Sequence, residues 1–126
     1  MPFVRISTQE ISNEHLQRIS DAVHESMVTT FQVPAKDRFQ VLTRHAPNEL
    51  ICAPEYLDIV HRGPVVFIQI TCNEGRTLEM KKALFARLAA SIEAGGLIRA
   101  ADVIVNLVEV KKENWSFGNG IAQYAL

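Results

Sequence analysis

Shifted along itself by 64 positions, the chain falls back on its own apolar pattern. Val4 and Ile6 land on Ile68 and Ile70, Glu10 on Glu74, Leu16 on Met80, Ile19 on Ala83, and Phe39 and Val41 on Val103 and Val105. Such self-similarity constrains the fold more than local propensity does, because both copies must solve the same burial problem. Each copy reads strand, helix, strand, with pseudo-repeats at about 2–47 and 65–112 and a connection at 48–64.

The local signals agree. Pro2 to Ser7 alternates, Phe3 opposed to Val4 and Ile6, as a short strand does. Ser12 or Asn13 caps a helix whose stripe is Leu16, Ile19, Val23, Met27 and Phe31, and Pro34 is expected to break it. Phe39 to Thr43 reads as the second strand, and 48–63 shows turn-formers without a period. Pro64 to Ile70 is apolar on both faces, which marks a central strand. Thr77 caps the second helix, with Met80, Leu84, Leu88 and Ile92 inward and Gly95-Gly96 at its end. Val103 to Val110 is a β-branched strand, and Trp115 to Gly120 reads as a turn or hairpin.

Two tandem β-α-β units predict an α+β fold: one domain over 1–126, with a four-stranded mixed sheet and two helices on one face. The parallel pair in each unit requires a right-handed crossover. The other sheet face is left bare, and covering it with copies of the same chain predicts a symmetric oligomer.

The bulk numbers narrow the setting. With 126 residues and a net charge of −1, the chain fits one domain and has no general pull toward nucleic acid or anionic membrane. Its longest apolar run, Val65 to Ile70 with Gln69 inside it, is too short to cross a bilayer. Cys52 and Cys72 alone do not make a disulfide framework, and no signal-peptide pattern opens the sequence, so a cytoplasmic location is expected. His15, His24, His45 and His61 show no metal spacing, so no metal is expected, and His15 and His24 are read as helix-surface residues. Cys72 reads as a buried, inert thiol. Lys111-Lys112 reads as a solvated turn, and no glycine-rich phosphate loop is present.

Four features carry chemistry. Removal of Met1, which aminopeptidase chemistry favours before a small residue, would leave Pro2 as a terminal secondary amine on a strand. Burial there would lower its pKa toward neutrality, where a group works as acid or base. In Glu74-Gly75-Arg76-Thr77, Arg76 stands where a guanidinium forks onto a carboxylate beside a helix start. In Pro34 to Gln40, Asp37 enters the second strand, placed to orient a water, to hold a proton on the amine, or to form a weak surface pair with Arg38. Trp115 and Phe117 either wall an apolar pocket or fill core.

Together, Pro2 on a strand, Gly75-Arg76-Thr77 before a helix and Trp115-Ser116-Phe117-Gly118-Asn119-Gly120 resemble the tautomerase superfamily. Residues 65 to 121 look like the short 4-oxalocrotonate tautomerase chain. The full pattern, with Pro34 to Gln40 and Asp102 to Val105, is most similar to the malonate semialdehyde decarboxylases. The resemblance implies Pro2 as catalytic acid or base, Asp37 as the catalytic aspartate, Arg76 as the substrate-carboxylate ligand, and Trp115 and Phe117 as pocket wall. It also implies a homotrimer, a small carboxylate substrate and no cofactor. The decarboxylases carry a second arginine where this chain has Glu74.

Electrostatics bears on the reaction. At an effective dielectric near 20, a charge about 4 Å from the amine is worth about 4 kcal/mol, so one carboxylate offsets one guanidinium. Asp37 would favour a protonated Pro2, a general acid, which points to decarboxylase or hydratase chemistry on 3-oxo or unsaturated acids. The alternatives are keto–enol tautomerisation of phenylpyruvate-like substrates by a neutral Pro2, and a non-catalytic ferredoxin-like metabolite-binding module.

Overall fold

Alternation sets the first strand, β1 (Phe3–Thr8): Val4, Ile6 and Thr8 are fully buried and Arg5 is exposed in the computed structural model, which describes all 126 residues. Helix α1 (Asn13–Phe31) starts at Ser12, whose hydroxyl accepts the His15 N–H at 3.1 Å. It buries Leu16, Ile19, Val23, Met27 and Phe31, the predicted stripe, and also Ser20, His24 and Ser26. The helix stops before Pro34: Gln32 takes a left-handed φ of 56° and its N–H bonds the Met27 carbonyl. A C-cap, and not the proline, ends it. Strand β2 (Gln40–Arg44) follows, one residue later than the alternation suggests.

The connection is not formless. It folds a small hairpin, β3 (Glu55–Tyr56) and β4 (Ile59–Val60), around Leu57 and Asp58, both at positive φ. Two left-handed residues make the tight turn that suits a two-residue hairpin. Leu57 gives no sequence warning of it, because branched side chains rarely adopt that φ.

The second unit repeats the first. In β5 (Val66–Asn73), Val66, Ile68, Ile70 and Cys72 are buried, and Cys52 and Cys72 are both free. Helix α2 (Leu78–Ala94) begins at Thr77, which accepts the Met80 N–H at 3.2 Å, and buries Leu84, Leu88 and Ile92 before Gly95. A single 3-10 turn at Ala100–Asp102 leads into β6 (Val103–Val110). Neither helix is long and apolar enough to cross a membrane.

The sheet order is β2-β1-β5-β6, with parallel outer pairs and an antiparallel central pair. The helices pack side by side on one face, over a core that includes Val4, Ile6, Met27, Ile68, Ile70, Leu84 and Leu88. Truncating one of these, Leu84→Ala for example, should cost about 2–5 kcal/mol. The repeat slips by one residue before the second strand. Val4 pairs with Gln40, whereas its counterpart Ile68 pairs with Val105. Gln40 and Leu42 therefore turn toward the helices, as Val105 and Leu107 do, while Phe39 and Val41 are exposed. The expected match of Val41 to Val105 is corrected accordingly.

Asp102, wholly buried, ties the connection down. It receives Arg99 Nε at 3.0 Å and the Arg62 N–H at 3.1 Å, and Arg99 also donates to the Val60 carbonyl at 2.9 Å.

Candidate active site

Strand directions decide what meets Pro2. Because β1 and β5 are antiparallel, the start of β1 lies at the end of β5, and the parallel outer pairs bring the start of β2 and the end of β6 to that same edge. Phe3 pairs with Thr71, so Pro2 comes level with Cys72, and the Val4 N–H bonds the Phe39 carbonyl at 3.0 Å. Four segments converge there: the N-terminus, the loop that bears Asp37, the turn that bears Arg76, and the chain after β6.

Pro2 is buried, and the terminal amine is on Met1, one residue before the proline nitrogen. Burial lowers this amine's pKa below its ordinary 8.0, and the Arg76 guanidinium lowers it further. Asp37 and Cys72 push it up, and Lys112 pushes it down. Asp37 and Arg76 thus act on one nitrogen from opposite directions, and here burial and the cations prevail.

Arg76 follows Gly75, whose φ of 118° is open to glycine and strained for other residues. Its guanidinium lies 4.9 Å from the Phe31 ring centre, and Nη1 donates to the Asn73 carbonyl at 3.1 Å. Its other N–H groups meet no protein acceptor, so a fork remains for an anion. Glu74, at the place of the decarboxylases' second arginine, is exposed and forms no ion pair.

Asp37 is half-buried in a tight turn, its N–H donating to the Pro34 carbonyl at 2.9 Å. The surface pair with Arg38 does not form. Arg38 instead bonds Asp21 at 2.7 Å, leaving the Asp37 carboxylate without an ion-pair partner.

Trp115 and Phe117 stack with ring centres 5.4 Å apart, Phe39 lies 6.0 Å from Phe117, and Tyr124 meets Phe117 edge-on at 5.3 Å. The segment is a turn beyond a 3-10 helix at Lys112–Asn114, with no strand in it. Its rings are partly exposed, so they are not buried core. Cys72 is buried as expected, and burial raises its thiol pKa although Arg76 opposes.

Several contributors escaped the sequence reading. Asn73 joins Arg76 to Trp115, and its position just before a glycine turn was the available signal. Phe39 and Tyr124 extend the aromatic cluster, and Lys112 lies within electrostatic reach of the amine. His24, read as a surface residue, is buried on α1 beneath the Asp37 loop.

Comparison with known proteins agrees with this architecture. Two family models, each described as tautomerase enzyme, match residues 37–118 and 2–58. The chain is 37% identical to the probable tautomerase YusQ of Bacillus subtilis (strain 168) over 124 residues, 98% of each chain. It is 31% identical to the probable tautomerase YrdN of the same organism, covering 98% of this chain and 96% of that one. Among solved structures, it superposes on FG41 malonate semialdehyde decarboxylase inhibited by 3-bromopropiolate with a TM-score of 0.91, at 36% identity over 97% of this chain and 93% of that chain. A malonate semialdehyde decarboxylase solved in wild-type, mutant and inactivated forms gives a TM-score of 0.89 at 30% identity, covering 97% and 95%. A fused 4-OT symmetric trimer shares the fold at 21% identity, with a TM-score of 0.80 over 98% of each chain. Over essentially its whole length, then, this chain belongs to the tautomerase family.

Proposed function

We infer that the protein is an acid–base enzyme for small oxo or unsaturated carboxylic acids, working through the Pro2 imino nitrogen once Met1 is removed, with decarboxylase or hydratase chemistry similar to that of malonate semialdehyde decarboxylase. The observation that carries the reading is the meeting of buried Pro2, the Asp37 loop and the Arg76 turn at one sheet edge. Similarity to two malonate semialdehyde decarboxylases, one described with decarboxylase and hydratase activities, supports the reaction class.

In this account Arg76 forks onto the substrate carboxylate and Trp115 and Phe117 cover the carbon chain. Protonated Pro2 donates to the β-carbonyl oxygen of a 3-oxo acid. The carbon–carboxylate bond breaks, its electron pair flows to the carbonyl, and carbon dioxide leaves an enol. With an unsaturated acid, water oriented by Asp37 adds to one alkene carbon while Pro2 protonates the other. The test is turnover of malonate semialdehyde by the Met1-free chain, with Pro2→Ala expected to lose about 10²-fold or more.

One observation favours a second reading. Pro2 is buried, and burial disfavours a charged nitrogen, which suits a neutral Pro2 as the base of keto–enol tautomerisation on phenylpyruvate-like acids. A pH–rate profile separates the two, since base catalysis gains as the amine deprotonates and acid catalysis loses. Nothing comparable favours the ferredoxin-like binding module.

The working unit is a homotrimer. The bare sheet face carries a shallow groove lined by Arg5, Ser7, Phe67, Gln69, Ile104 and Asn106, with Val41 and Val108 also exposed. A face of this composition is covered by further copies of the chain, and the symmetric trimer of a fused 4-OT offers the pattern.

A further inference from the structure

His24 is 8% exposed on α1, and no step above uses it. Its Nε2 lies 2.7 Å from the Ala35 carbonyl oxygen, while Nδ1 is buried without a partner. A carbonyl oxygen only accepts, so Nε2 is the donor of this bond. Leaving a buried polar atom unpaired is destabilising. An apolar residue would fill this site without that penalty.

The bond has a specific address. Ala35 lies two residues before Asp37, in the loop between α1 and β2. The loop's start is tied by the Val33 N–H to the Met27 carbonyl, and its end by Arg38 and Gln40 to Ser20 and Asp21. Between these ties, the turn bonds from Asp37 to Pro34 and from Arg38 to Lys36 stay inside the loop. His24, one helical turn beyond Ser20 on the same face, supplies the sole hydrogen bond from outside to residues 34–37.

We propose that His24 is a positioning residue, whose Nε2–H holds Ala35 so that the Asp37 carboxylate is presented to Pro2. The proposal rests on the reading of Pro2 and Asp37 given above.

The test uses the Met1-free full chain with malonate semialdehyde and phenylenolpyruvate as probes, together with amide hydrogen exchange at residues 36–38. His24→Leu is expected to stay folded, to speed exchange there, and to lower kcat about tenfold with KM changed less than about twofold. His24→Gln carries an amide N–H near the Nε2 position and is expected to recover kcat to within about threefold of the parent. Added to Asp37→Asn, His24→Leu should cost less than about twofold more, since both act through one carboxylate. Unchanged exchange, failure of the glutamine to rescue, or an undiminished loss beside Asp37→Asn would each overturn the proposal. If the leucine variant does not fold, His24→Asn takes its place, because its shorter amide cannot span to Ala35. Full turnover by Pro2→Ala or Asp37→Asn contradicts the reading of the site instead, and the exchange arm then decides the clamp by itself.

Discussion

The side-chain oxygen of Asn73 accepts the indole N–H of Trp115 at 2.7 Å, while the carbonyl of the same residue accepts Arg76 at 3.1 Å. One residue at the end of β5 therefore sets the aromatic cluster and the guanidinium together. Asn73→Leu should release the indole, cost about 1 kcal/mol of stability and raise KM several-fold, whereas Asn73→Asp, which keeps the acceptor, should hold the indole in place. Trp115 is the only tryptophan in the chain, so its emission reports the change directly. A red shift is expected for leucine and not for aspartate.

Arg76→Lys keeps the charge but loses the planar fork. Its main effect should be on KM, about tenfold, with a smaller change in kcat. Steady-state kinetics with malonate semialdehyde checks this.

The two charges that act on the amine should move the pH profile in opposite directions. Arg76 lowers the amine pKa, so Arg76→Ala should shift the activity midpoint to higher pH. Asp37 raises it, so Asp37→Asn should shift the midpoint to lower pH. Profiles of residual activity for the two variants test the sign.

Asp102 makes a prediction about stability. Burial pushes its carboxyl pKa up, but the hydrogen bonds from Arg99 and the Arg62 N–H outweigh burial and hold it below the ordinary 3.8. The stabilisation is therefore present above the ordinary value and fades as pH falls through the lower, folded one. Asp102→Ala should cost about 2–4 kcal/mol near neutral pH and loosen the β3–β4 hairpin. Urea unfolding at pH 7 and near pH 3 should show the gap between parent and variant narrowing in acid.

Assembly has its own check. Sedimentation equilibrium should give the mass of three chains, and a charge placed at Val41 or Val108, both exposed on the bare face, should shift the population to monomer.

Much of this fold was legible because burial repeats with the strand and helix periods. The alternation of Val4 and Ile6, the stripe from Leu16 to Phe31 and the Thr77 cap all act locally. What was misread depends on partners distant in sequence. His24 looked like a surface residue because its reason for burial, the Ala35 carbonyl, sits on the following loop. Asp37 was given Arg38 as a possible partner, yet Arg38 turns back to Asp21 on the helix. The one-residue slip that points Gln40 at α1 cannot be seen in an apolar count, because Val41 is the apolar residue and faces outward. Pro2, Asp37, Arg76 and Trp115 could be named from their motifs, but only strand direction brings them to one edge.

The most direct measurement follows the Pro2 nitrogen itself, by nitrogen NMR titration of the Met1-free protein labelled at proline, beside its pH–rate profile. Burial of Pro2 at the start of β1 predicts a midpoint below that of a solvent-exposed terminal proline, matched by a kinetic limb of the same midpoint on which decarboxylation falls as pH rises. A nitrogen that titrates at the ordinary value, or a rate that ignores its titration, would contradict it.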